Sequence, residues 1–180
     1  MDFYTDYFKI LYEKIVDVNS EQLDQAVEMI KATSKSGKKL IIVGNGGSAA
    51  MASHVAVDLT KNAGIRAINF NEADLLTCFA NDYGYEHWVA QALKFYGDKG
   101  DLAILISSSG SSKNILNGAN TAKELGLETI TFSGFKHDNP LRKMGHLNFY
   151  VESKGYNIVE MSHHIWLLAI VDKIIGKIEY

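Results

Sequence analysis

A chain of 180 residues, 47% of them hydrophobic and only one a proline, has the length for one domain with a packed core and is too apolar to be disordered. The formal net charge of -3 offers no basic face for nucleic acid, and the single cysteine, Cys78, excludes an internal disulfide and fits a reducing compartment. No apolar run nears the roughly 20 residues that cross a bilayer, and the start Met1-Asp-Phe-Tyr-Thr-Asp6 is acidic and aromatic where a secretory signal is basic and apolar, so a cytoplasmic chain with no membrane partner is expected.

Residues 1–36 read as two helices. Tyr4, Tyr7, Phe8, Leu11, Tyr12 and Ile15 recur at steps of three and four, and Asn19-Ser20 is a helix start ahead of Leu23, Ala26, Met29 and Ile30. The first helix carries more tyrosine, phenylalanine and leucine than one small sheet can cover, which points to contact with another subunit. After the turn Ser36-Gly37-Lys38-Lys39 comes Leu40-Ile-Ile-Val43, a short β-branched run suited to a strand buried on both faces. Arg66–Phe70, Leu102–Ile106, Glu128–Phe132 and Leu147–Val151 repeat that character, and helical patterns near 49–63, 84–96, 112–125 and 157–178 separate or follow them. The last of these helices is apolar on most sides between residues 165 and 171. Alternating strands and helices predict a doubly wound α/β domain, a parallel sheet between two helical layers with two leading helices.

Two loops at strand ends carry the candidate chemistry. Gly44-Asn-Gly-Gly-Ser48 follows the first strand and opens a helix, where glycines let backbone N–H groups approach an anion and Ser48 adds a hydroxyl or an N-cap. It matches neither a dinucleotide fingerprint nor a Walker loop. Ser107-Ser-Ser-Gly-Ser-Ser112 follows an interior strand and opens another helix; five hydroxyls and one glycine at a helix start make a phosphate cradle without arginine. Parallel sheets bind ligands at their carboxyl edge, so both loops are expected to flank one crevice. His54 and Asp58, four apart on a helix, share a face suited to chelating a metal or to moving a proton, or simply form a surface pair.

With these two loops in this order the chain resembles the SIS (sugar isomerase) domains, and among them the sedoheptulose-7-phosphate (phosphoheptose) isomerases. His54 and Asp58, Ala80-Asn-Asp-Tyr-Gly84 and, more weakly, Thr131-Phe-Ser-Gly134 follow the same pattern. The resemblance spans residues 1–180 as a single SIS domain, with 1–36 forming oligomer contacts. It implies a flavodoxin-like three-layer sandwich and a homotetramer with sites between subunits. It also implies an aldose–ketose isomerase of carbohydrate metabolism, acting on sedoheptulose 7-phosphate through an enediol in heptose biosynthesis, often with zinc. Carried over by position, Asn45, Gly46, Gly47, Asn81 and Asp82 contact the substrate, and Ser107, Ser108, Ser109 and Ser112 cradle the phosphate. His54 is a metal ligand, and Asp58 is both ligand and catalytic base.

The chain departs from that pattern in two places. Asp58 stands where the family has glutamate. In the last helix, Val159 and Leu167 stand at the glutamine and histidine that complete the zinc site. Ser162-His163-His164 offers substitutes: by helical projection His163 falls between residues 159 and 167, and His164 is four residues beyond Glu160. His163 or His164 is therefore expected as the acid/base, with His54, Asp58, Glu160 and His163 the candidate metal set. Adjacent histidines on a helix diverge by about 100°, so at most one of the two is expected to face the site, with His163 ahead of His164. An isomerase of another phosphosugar, a non-catalytic phosphosugar-binding protein and a regulator like the bacterial initiator-associating proteins share these motifs. Retention of His54, Asp58, Asn81 and Asp82 favours the enzyme.

Overall fold

The computed structural model describes residues 2–179. Two helices lead, α1 (Phe3–Val16) and α2 (Ser20–Lys35), each started by an acceptor side chain: Asp2 takes the Tyr4 N–H and Asn19 the Glu21 N–H. The strands are β1 (Leu40–Val43), β2 (Ala67–Ile68), β3 (Leu102–Ser107), β4 (Glu128–Gly134) and β5 (Leu147–Val151), all parallel in the order β2-β1-β3-β4-β5. The helices α3 (Gly47–Lys61), α4 (Ala73–Tyr83), α5 (Trp88–Tyr96), α6 (Lys113–Glu124) and α7 (Tyr156–Ile175) cover its two faces, with a short 3-10 turn at Pro140–Lys143.

Alternation along the strands decides which face each residue serves. Leu40 and Ile42 of β1 and Leu102, Ile104 and Ile106 of β3 pack with α2, α3 and α7, whereas Ile41, Val43, Ala103 and Leu105 pack with α5 and α6. Both sets are buried, which is why these strands read as unbroken apolar runs. Along α7 the buried residues Ile158, Val159, Ser162, His163, Trp166, Leu167, Ile170 and Val171 form one stripe at helical spacing. No residue of α1 is buried; Phe3, Tyr4, Phe8, Ile10, Tyr12 and Val16 are exposed, and the Trp166 indole donates to the Ile15 carbonyl to hold the helix against α7.

Four elements differ from the sequence expectation. The helix expected over 84–96 is α5 and starts only at Trp88, and it is preceded by α4, a helix not expected from the sequence, which Gly84 at φ 85° closes. Only Ala67–Ile68 of the run 66–70 pairs as strand. Helix α3 begins at Gly47 with Gly46 at its cap, so Ser48 is inside the first turn and is not the N-cap. Among the described residues, no helix is long and apolar enough to cross a membrane.

Candidate active site

β1 pairs with β2 on one side and β3 on the other, so the chain reverses its direction of travel across the sheet between β1 and β3. The loops leaving those two strands are thereby neighbours at the carboxyl edge, the usual ligand crevice of an open parallel sheet. Asn45 and Asn114 clasp them together: the Asn45 amide donates to Asn114 Oδ1 at 3.0 Å, and the Asn114 amide donates back to Asn45 Oδ1 at 2.8 Å. The Tyr85 hydroxyl adds a third bond to Asn45 Oδ1 at 3.2 Å. Neither Asn114 nor Tyr85 stood out in the sequence as a site residue. Asn114 is buried in the first turn of α6, directly after the serine loop.

The serine loop is bonded to itself. Ser107 Oγ lies 3.0 Å from Ser112 Oγ and 3.5 Å from Ser109 Oγ, and the Ser111 N–H donates to Ser109 Oγ. Gly110 sits at φ 62°, and a Cβ there would come within 1.9 Å of Asn139 Oδ1, so both its conformation and its surroundings demand glycine. Asn139 is buried behind Gly110 and anchored to β4, donating to Ser133 Oγ and the Gly134 carbonyl, while the nearby Leu141 N–H donates to the Gly110 carbonyl. Ser48 and Ser108 are also buried, and the Ser108 hydroxyl donates to Glu160 Oε1 at 3.3 Å.

Glu160 brings α7 against the first loop as well. A Cβ on Gly47 would fall 2.2 Å from Glu160 Oε2, so glycine lets the carboxylate approach the start of α3. One turn further along α7, His164 Nε2 lies 3.0 Å from His54 Nδ1 on α3, with the rings edge to face at 5.1 Å. His54 Nε2 in turn lies 3.3 Å from Asp58 Oδ2, and Asn62 donates to Asp58 Oδ1 at 3.2 Å. Partial burial first, and then the His54 ring, hold His164 below the ordinary imidazole range, against the opposing pull of Asp58. Helices α3 and α7 therefore lie side by side, in contact at Gly47 and Glu160, beside Ser108, and again at His54 and His164, beside Asp58. Seven residues of α-helix separate Gly47 from His54, about 10 Å.

His163 does not join those contacts. It is 0% exposed, packs edge-on to Phe132 at 5.5 Å and beside Trp166, and meets the Ser133 carbonyl through Nε2 at 3.0 Å. Burial pushes it down to about 4, only partly opposed by that carbonyl. The projection that grouped it with residues 159 and 167 holds, but that face of α7 is the core face: Val159 is 0% and Leu167 1% exposed. His164 pairs with His54 rather than with Glu160. Asn81 and Asp82 lie exposed near the end of α4, bonded to each other at 2.9 Å and not to either loop.

The metal set expected from the sequence is not assembled. His163 faces the core and Glu160 turns to Ser108, and among the described residues no group of three His, Cys, Asp or Glu side chains is arranged to hold a metal ion. Val159 and Leu167 add only buried hydrocarbon where two further ligands are expected. The residues present do not fit a zinc site.

A family model described as the SIS domain matches residues 3–134. The chain is 33% identical over 166 residues to a phosphoheptose isomerase of Helicobacter pylori (strain P12), covering 89% of this chain and 86% of that one. A phosphoheptose isomerase from Neisseria gonorrhoeae superposes with a TM-score of 0.86 at 25% identity, covering 95% of this chain and 94% of that one. One from Francisella tularensis gives 0.87 at 22% identity, with 97% of each chain covered, and is evidence of shared fold.

Proposed function

The chain belongs to the SIS-domain family and, within it, to the phosphoheptose isomerases, and we propose that it interconverts sedoheptulose 7-phosphate and the aldose heptose 7-phosphate in heptose synthesis. The observation that carries this reading is the α3–α7 contact, which sets a carboxylate–imidazole group about two helical turns from a pair of small-residue loops. In the proposal the phosphate is held by Ser107, Ser108, Ser109 and Ser112 and by the helix start behind them. Asn45, Gly46, Gly47 and Ser48 line the crevice from the first loop, Asn81 and Asp82 reach the sugar from α4, and Glu160 accepts from sugar hydroxyls. Binding at the phosphate end holds the reacting end in register, so remote affinity is spent on orientation.

The reaction moves one proton between neighbouring carbons. Asp58 takes a proton from C1 of the ketose; the C–H pair becomes the C1=C2 bond and the carbonyl pair moves to O2. After a proton has passed from O1 to O2, Asp58 returns its proton to C2 and the aldehyde forms at C1. Nothing is oxidised or reduced overall. No step is routed through a metal, because the residues present do not gather one. The same reading makes the protein a cytoplasmic homotetramer whose crevices are completed by a neighbouring subunit, supported by the exposed apolar residues of α1 and by the free cysteine.

Incubation with sedoheptulose 7-phosphate in deuterated water tests it. The expected result is an aldose signal by NMR with deuterium entering beside the carbonyl. The Asp58→Asn variant is expected to lose about 10²-fold or more in kcat while still binding the phosphosugar. Wild-type turnover in that variant refutes the role of Asp58, and no aldose from the unaltered protein refutes the function.

A further inference from the structure

We infer that Glu160 sets what the crevice admits: its carboxylate fills the anion-favouring place at the start of α3, so the two small-residue loops seat one phosphate between them and reject a diphosphate such as a nucleotide-linked sugar carries. The inference rests on the phosphosugar reading above and names the selectivity of the same site.

Two helix starts lie side by side at the carboxyl edge of the sheet, joined by the Asn45–Asn114 clasp. In dinucleotide-binding sheets the turn after the first strand seats a pyrophosphate, because its glycines bring the backbone close and the helix start favours negative charge. The turn from Gly44 to Ser48 has the same small residues in the same place, and here a carboxylate already faces it. Glu160 lies against Gly47, the first residue of α3, where an added Cβ would come within 2.8 Å of the carboxylate carbon. The Ser108 hydroxyl holds the carboxylate at Oε1, at 3.3 Å. Among the described residues no lysine, arginine or histidine forms an ion pair with Glu160, so no cation offsets its charge there.

The start of α6 is different. It has no acidic side chain in its first turn, Ser112 makes no capping bond, and the N–H groups of Lys113 and Asn114 meet no acceptor among the described residues. Ser107, Ser109 and Ser112 gather their hydroxyls beside it, while Ser108 turns its hydroxyl to Glu160. A phosphate at α6 is thus met by donors, with Ser108 serving it through the main chain. A second phosphate bonded to the first would have to reach the neighbouring start of α3 and meet Glu160. Like charges set together at an interface are costly, and a fixed repulsive group is how a site refuses a ligand it could otherwise hold. A neutral sugar hydroxyl donates to the same carboxylate, so the group that turns away a second phosphate accepts the sugar.

The test uses the full chain with inorganic phosphate and pyrophosphate as probes, their dissociation constants measured by calorimetry. In the unaltered protein pyrophosphate is expected to bind no more tightly than phosphate, despite its greater charge. Glu160→Gln keeps the shape of the side chain and removes its charge; it is expected to tighten pyrophosphate about 10-fold or more and phosphate by less than about 3-fold. Glu160→Asp keeps the charge and is expected to leave the ratio of the two constants within about 3-fold of the unaltered protein. Circular dichroism checks that both variants are folded. An unchanged ratio in folded Glu160→Gln overturns the inference, as does the same change in both variants, which would assign the effect to lost packing. A preference of the unaltered protein for pyrophosphate of about 10-fold or more overturns it too. So does a failure of the unaltered protein to bind phosphate at all, and its turnover of sedoheptulose 7-phosphate, measured separately, then decides whether the isomerase reading stands.

Discussion

Replacing His163 by leucine separates a core residue from a catalytic one. The ring is fully enclosed and pushed down to about 4 from an ordinary 6.5. Above pH 6.5 the residue is neutral in both states and costs nothing. As the pH falls below 6.5 the unfolded chain takes up a proton that the folded chain refuses, so stability falls until about pH 4, where both states are protonated. The whole loss is about 3 kcal/mol, and about 2 kcal/mol of it has occurred by pH 5. His163→Leu removes this pH-dependent loss but leaves the Ser133 carbonyl without its partner, at about 1–2 kcal/mol. Urea unfolding at pH 7.5 and pH 5 should therefore show the wild type ahead at the higher pH and its lead shrinking by about 2 kcal/mol at the lower one. Because both proteins keep every other titrating group, the difference isolates this ring. A gap constant between the two pH values refutes the buried neutral histidine. The kcat of the folded variant at pH 7.5 should stay within a factor of about two, and a fall of about 10²-fold would place His163 in the chemistry after all.

Three further outcomes follow from the loops and the sheet. Gly110→Ala places a Cβ against Asn139 at a left-handed φ and should cost about 2 kcal/mol or more in urea unfolding, with weaker phosphosugar binding by calorimetry. Asn114→Ala opens the clasp between the two loops and should raise KM about 10-fold, the equivalent of about 1.4 kcal/mol, with a smaller change in kcat. Asp101 is buried and accepts from the Lys39 N–H, the Lys39 ammonium and the Asp98 N–H, so Asp101→Ala should lower stability by about 3 kcal/mol while sparing kcat of the folded protein.

The strands and both small-residue loops were legible because their signals are local. Leu40–Val43 and Leu102–Ser107 are buried on both faces and carry apolar runs, and each loop follows its strand directly. Helix α4 was not legible: Glu72 makes no side-chain cap at its start and none of its residues is buried, so neither a start signal nor a core stripe marked it. The choice between His163 and His164 was undecidable for a different reason. Helix α7 is apolar around much of its circumference, so periodicity did not say which stripe meets the sheet. The partner that settles His164 is His54, 110 residues earlier, and their meeting depends on α3 and α7 lying side by side on one face of the sheet. Asn114 was hidden in the same way, since its role exists only across the crevice from Asn45.

The loop from Ser107 to Ser112 holds hydroxyls and backbone but no lysine or arginine, and its clasp is a pair of neutral amides. A dianion held there is met by fixed dipoles at contact distance rather than drawn in by a distant field. The formal net charge of -3 gives no attraction from afar. Substrate capture should consequently be nearly indifferent to ionic strength, unlike capture by a cationic funnel, whose rate collapses as salt is added.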